Sequence, residues 1–300
     1  MQQAIGCGMI RPNNQCKHRR LDGSDCVTFT KQRKIAVTDN SSHPLPREEL
    51  RDVIDLALWA GQLLLQHGAE AQRVEETVHR LGTALGCNWM DIVVSPNGLF
   101  VSTISGEEFR TKVRRVVHLG VDMTKVSAID RLTRRVVAGE LARAQVRSEL
   151  ERIVATPPHY PGWLVVAMVG LACAAFSHLL GGDWPVFGAT FLAAGTAMAV
   201  RQALSRRHFN PLVIVICTAL VAGGLASLFV RFGSGDGRQI ALAASVLLLV
   251  PGVPLINAAE DLIQGHVLIG LARGVTGALI SLGIALGLWL AMRLVGVTGL

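Results

Sequence analysis

Charge is scarce in the second half of this chain. The 300 residues hold 29 Lys and Arg and 22 Asp and Glu, of which residues 161–300 hold only 7 and 4. A water-soluble domain cannot leave so long a stretch this bare, so the second half reads as embedded in a bilayer. Enzyme signatures are missing as well. No G-x-x-x-x-G-K-[ST] supports ATP drive within the chain, and neither H-E-x-x-H nor G-x-S-x-G is found. The first residues contain no apolar run of signal-peptide length, so no cleaved secretory signal is expected and the later helices must anchor the protein. Cysteine is too sparse for a disulfide framework: Cys7, Cys16, Cys26, Cys87, Cys173 and Cys217 are the whole set. The intervals of nine and ten among the first three are not zinc-finger spacings, so no metal and no other cofactor is expected. A net charge of +7 comes without a nucleic-acid motif, and a basic stripe facing anionic lipid suits it better.

What is present divides into three parts. Residues 1–45 are polar, basic and without period, and are expected to be a disordered tail. Residues 46–156 predict a small cytosolic α+β domain. Val53, Leu56, Ala57, Ala60, Leu63 and Leu64 recur at helical spacing, with Gly68 as a stop. A second helix is expected over 69–85, then two strands around Pro96-Asn97-Gly98, a third strand over 110–118, and one long basic helix over 125–153 pointing at the membrane. Pro157, Pro158 and Pro161 then break the chain. Residues 157–300 predict a polytopic α-helical membrane domain of about five transmembrane helices, near 163–180, 185–200, 211–230, 240–258 and 267–290. Lys and Arg near the helix ends favour a cytosolic N-terminal half, and five passes put the C-terminus outside.

The densest local signal is Val250-Pro251-Gly252-Val253-Pro254, followed by Asn257, Glu260 and Asp261. Two prolines three apart cannot both sit in an unbroken helix, and a break at membrane depth is tolerated where it lines a cavity or packs inside protein. Transporters use such breaks near the midplane; a simple kink is the plain alternative. Asn257 and Asp261 share a helix face. Arg273 is expected about 10 Å into the last span, counting 1.5 Å per residue from His266. A charge there must be paired, hydrated or bound to substrate, or must snorkel to the surface. Pro251, Gly252, Pro254, Asn257, Asp261 and Arg273 are therefore the candidate substrate pathway. Gly270-x-x-x-Gly274 and Gly283-x-x-x-Gly287 are close-packing faces, for this chain or a partner subunit. In the soluble half, Glu70, Arg73 and Glu75 open the second helix, as ordinary surface charges or as a gating group.

These residues also resemble a known family. Leu65-Gln66-His67-Gly68-Ala69-Glu70, Leu81-Gly82-Thr83-Ala84-Leu85-Gly86, Tyr160-Pro161-Gly162-Trp163, Arg201-Gln202 and the block 243–273 are similar to the threonine/serine exporter family, and most similar to the larger subunit of its two-chain form. The resemblance implies a cytosolic N-terminal domain, the bacterial inner membrane, and export of a small carboxylate. In the two-chain form that substrate is the dicarboxylate succinate, and a separate, smaller membrane subunit supplies a second membrane block. Threonine/serine export is the other transport reading, and a membrane-anchored enzyme or sensor is the reading from a different class.

Overall fold

The computed structural model describes residues 46–105, 108–117, 120–157, 160–232 and 238–296. The tail expected over 1–45, with its three cysteines, lies outside them. The first elements are α1 (Arg47–Gln66), α2 (Ala71–Ala84), β1 (Trp89–Ser95), β2 (Gly98–Ser105), β3 (Glu108–Arg115), α3 (Met123–Val137) and α4 (Arg143–Ala155). The strands form an antiparallel sheet in the order β1-β2-β3, closed at one end by the pair Ser95 and Gly98. Alternation sends Met90, Val94, Leu99, Val101 and Thr103 inward, while Val93, Phe100 and Val113 stay exposed on the other face. Leu56, Leu64, Val74, Leu81, Leu99, Ile129 and Leu150 are fully buried in one core. Each contributes about 1.5–3 kcal/mol by leaving water.

The long basic helix expected over 125–153 is two helices. Gly139, at φ 75°, ends α3 by letting its own N–H and that of Glu140 return to the carbonyls of Val136 and Arg135. The chain folds back instead of running straight toward the membrane. Arg143 and Arg147 of α4 thereby meet Glu49 and Asp52 of α1.

The apolar half consists of α5 (Gly162–Leu179), α6 (Trp184–Arg206), α7 (Pro211–Phe232), α8 (Arg238–Ser245), a 3-10 turn (Leu247–Leu249), α9 (Gly252–Ile263) and α10 (Val267–Val295). Among the described residues three helices are long and apolar enough to cross a membrane, or four if one bent pair counts as a span. The expected count of five differs for a reason visible in α6. That helix has 23 residues, long enough to span, but Trp184 and Pro185 at one end and Arg201, Gln202, Ser205 and Arg206 at the other shorten the apolar stretch between them. The span expected over 240–258 is the bent pair: α8 and its 3-10 turn meet α9 at 63°. Pro251 sits in the break and Pro254 in the first turn of α9, where a missing N–H leaves no bond unmade.

The helix register explains where α9 goes. Glycines allow close approach along α10: Gly270 would clash with Leu262 and the Ala258 carbonyl, and Gly277 with Leu255. Further on, Gly287 lies against Ala219 and the Ile216 carbonyl, and Gly223 against Leu288 and Ala291. So α10 runs antiparallel to α9 over its first turns and parallel to α7 over its last. Followed back at this register, the residues of α10 before about 278 project beyond the start of α7. The α9–α10 hairpin thus rises out of the helix bundle into the first domain, where Ile269 joins the core. Large apolar side chains on the outer faces of α5 and α10, such as Trp163, Leu179, Leu268, Leu282 and Leu286, remain exposed, as a lipid-covered surface requires.

Candidate functional site

The junction centres on the four residues between α1 and α2. Gly68 turns the chain at φ 91°, a conformation other residues rarely adopt. The loop is held from one side by backbone bonds: Gly120 N–H donates to Gln66 (2.7 Å) and Asp122 N–H to His67 (3.1 Å). The α9–α10 hairpin holds it from the other side. Asn257 Nδ2 donates to the Gly68 carbonyl at 2.8 Å, and Arg273 Nη2 to the Ala69 carbonyl at 2.7 Å. Asp261 Oδ1 accepts from the Ala71 N–H at 2.8 Å, while its Oδ2 accepts from Arg273 Nη1 at 2.6 Å.

Each contact has a local cause. Helix α2 starts without a capping bond from its own Glu70 side chain. Asp261 supplies that cap from 190 residues away, placing a carboxylate on the positive end of the helix. Asp261 is fully buried and Arg273 only 9% exposed. Such a charge pair persists because every strong donor and acceptor is met, here with backbone partners completing the set. The spacing of Asn257 and Asp261 does put both on one face, and that face is the one against the loop.

Arg273 lies six residues past the start of α10. It lies not inside the bundle but on the projecting part of α10. Its guanidinium is committed to Asp261 and Ala69, the paired arrangement among those open from sequence. Nor are all the expected pathway residues gathered together. Pro251, Gly252 and Pro254 stand at the opposite end of α9 from Asp261, about 10–15 Å away along the helix. Pro251 is buried, and a side chain at Gly252 would meet open space. The glycine pairs of α10 are occupied by packing within the chain.

Glu70, Arg73 and Glu75 lie beside the latch. Arg73 stands 3.8 Å from Glu70 and 3.9 Å from Asp130. Glu75 is 3.6 Å from His266 at the α9–α10 turn. Together with Glu76, Arg80, Arg134 and Glu260, the first two line a groove of about 730 Å³ between α2, α3 and the end of α9. Burial raises the Glu70 carboxyl above its ordinary range, and the neighbouring Glu260 raises it further, against the pull of Arg73. Burial also raises Glu75, opposed by His266. Glu260 and His266 entered the sequence reading only as part of the proline-rich block and as the point from which the last span was counted, not as site residues.

The shift makes a pH prediction. A carboxyl whose folded pKa lies above its unfolded one stabilises the fold when protonated, and that contribution fades as pH rises from the ordinary glutamate range through the folded pKa. His67 is lowered by burial and by Lys125, so its contribution has the opposite slope. The difference between wild type and Glu70→Gln isolates the acid. Thermal unfolding in detergent should show wild type losing stability relative to Glu70→Gln as pH rises through that window, and a constant difference would remove the Glu70–Glu260 contact from the account.

The profile of a family described as "Putative threonine/serine exporter" matches residues 55–295. A "Probable succinate transporter subunit YjjP" of Klebsiella aerogenes is 38% identical over 254 residues, 84% of this chain and 98% of the relative. The protein of the same name in Escherichia coli K12 is 37% identical over 253 residues, with the same coverage. A threonine/serine exporter of Corynebacterium glutamicum is 27% identical over 270 residues, 87% of this chain but 53% of the relative. No solved structure matches.

Proposed function

Because the chain belongs to the threonine/serine exporter family, we propose that it is one subunit of a secondary exporter that moves a small dicarboxylate, succinate in the first instance, out across a bacterial inner membrane. The observation that carries this reading is the end-to-end match to succinate transporter subunits, set against coverage of about half of a single-chain exporter. Its partner is a smaller membrane subunit, in keeping with the word subunit in the relatives' names. With α6 and the bent pair counted as passes and the Lys and Arg near the helix ends kept inside, the α+β domain is cytosolic and the C-terminus periplasmic. Drive comes from an ion or substrate gradient, in keeping with the missing nucleotide motif.

Within this reading the site residues divide into two roles. Asn257, Asp261 and Arg273 form a latch between the cytosolic domain and the α9–α10 hairpin, with Glu70, Arg73 and Glu75 at its edge. Pro251, Gly252 and Pro254 provide the bend at which the hairpin moves relative to the bundle. The latch therefore reports the state of the gate to the cytosolic domain, or the reverse, since coupling of this kind is reciprocal.

The test is efflux of labelled succinate from cells expressing the chain together with its smaller partner. Efflux should exceed that of cells lacking either subunit, and excess threonine should not compete. Competition by threonine would move the substrate to the amino acids. Absence of any efflux above background would remove the export reading.

A further inference from the structure

With Arg273 committed to Asp261, the carboxylate of a substrate needs another cation. Among the described residues, Arg201 is a cation the bundle offers. It is half-buried near the end of α6, and its Nη1 donates to the Leu248 carbonyl in the 3-10 turn at 3.3 Å. No carboxylate pairs with it among the described residues. Most of its donors are therefore unspent, at the level where α8 breaks toward Pro251.

A second observation lies on the same face of α6. Hydroxyls buried in membrane helices ordinarily bond back to the carbonyl one turn earlier. Ser177, Thr218 and Ser245 all do so. Thr190 on α6 and Ser227 on α7 do not: both are fully buried and neither hydroxyl has a partner. An unpaired buried hydroxyl is destabilising. The two are also close in depth. Ala193 packs with Ala226 and Leu242, and Ala197 with Ala222 and Val246. This register brings Thr190 and Ser227 to within a turn of the same level. Between them and Arg201 the seam is lined by alanine from both helices. Eleven residues of α6 separate Thr190 from Arg201, about 16 Å.

Resting on the export reading above, we infer that the substrate moves along the buried seam between α6, α7 and α8. Arg201 takes a carboxylate at the cytosolic mouth, and the free hydroxyls of Thr190 and Ser227 take it near the far end. A cation followed by neutral hydrogen-bond donors suits an anion that must be attracted and then released. Alanine surfaces interlock shallowly, so parting these helices gives up little dispersion contact compared with a leucine-packed interface.

The experiment is the same succinate efflux assay, with both subunits present and wild type in parallel. Arg201→Gln should lower efflux about ten-fold or more, the loss of a charged hydrogen bond to substrate. Arg201→Lys should retain part of the activity at a higher KM. Thr190→Val and Ser227→Ala, which remove only the hydroxyls, should each lower efflux several-fold. Thermal unfolding of these two in detergent should be unchanged or raised, because an unmet polar group is gone. Loss of efflux with retained or increased stability is the signature of a substrate contact. Efflux unchanged in Arg201→Gln, or in the Thr190→Val/Ser227→Ala double variant, overturns the seam. So does a loss that tracks falling stability. Failure of wild type itself to export succinate would strike the function and not the path.

Discussion

Asp261→Ala should destabilise the protein by about 3–5 kcal/mol, the cost of leaving a buried guanidinium without its counter-charge. Part of that loss is the missing cap on α2, about 1 kcal/mol. Thermal unfolding in detergent is the measurement, with Arg273→Ala and the double variant beside it. The two residues bond each other at 2.6 Å, so the double variant should lose clearly less than the two singles added together, a coupling of about 0.5–3 kcal/mol. Asp261→Asn should fall between, because an amide oxygen can still accept from Ala71. If Asp261→Ala abolished efflux while leaving unfolding untouched, the pair would be a substrate site and the latch would be wrong.

Gly287→Val should have an effect of similar size on the bundle. A Cβ at this position would stand 2.7 Å from the Ala219 side chain, 2.7 Å from the Ile216 carbonyl and 3.1 Å from the Leu220 nitrogen. Two of those atoms are backbone, so relief requires moving α7 bodily away from α10. Overpacking of this kind costs about 1–3 kcal/mol or more, and accumulation of folded protein in the membrane should fall sharply. Gly274→Ala is the control. Its Cβ would meet only the Ala258 side chain at 3.9 Å, and alanine favours the helix by up to about 1 kcal/mol. Equal behaviour of the two variants would refute the register of α10 against α7 and α9.

Much of this architecture was legible from residue order. Apolar runs bounded by Gly and Pro located α5, α7 and α10, and the proline pair located the bend to within a residue. The i, i+4 spacing of Asn257 and Asp261 identified a shared face correctly. What it could not reveal was the partner of that face, because the partner is backbone: the carbonyls of Gly68 and Ala69 and the N–H of Ala71 carry no side-chain signature. Nor could residue order show that Arg273 would bond the Ala69 carbonyl, which is backbone too. Arg201 entered the sequence reading as a positive charge near a helix end and as one residue of the family resemblance, with no role in a site. That α6 continues past it to Arg206, carrying the guanidinium against a broken helix, depends on tertiary packing alone.

The capping of α2 by a residue 190 positions further along the chain has a consequence for biosynthesis. At about 5–20 residues per second, a ribosome needs on the order of 10–40 s to reach Asp261 after finishing Ala71. During that interval α1 and the start of α2 have emerged, but the aspartate that closes the hinge between them does not yet exist. The amino-terminal domain is thus completed retroactively, once the last hairpin has been translated and inserted, and it remains open to chaperones and proteases until then.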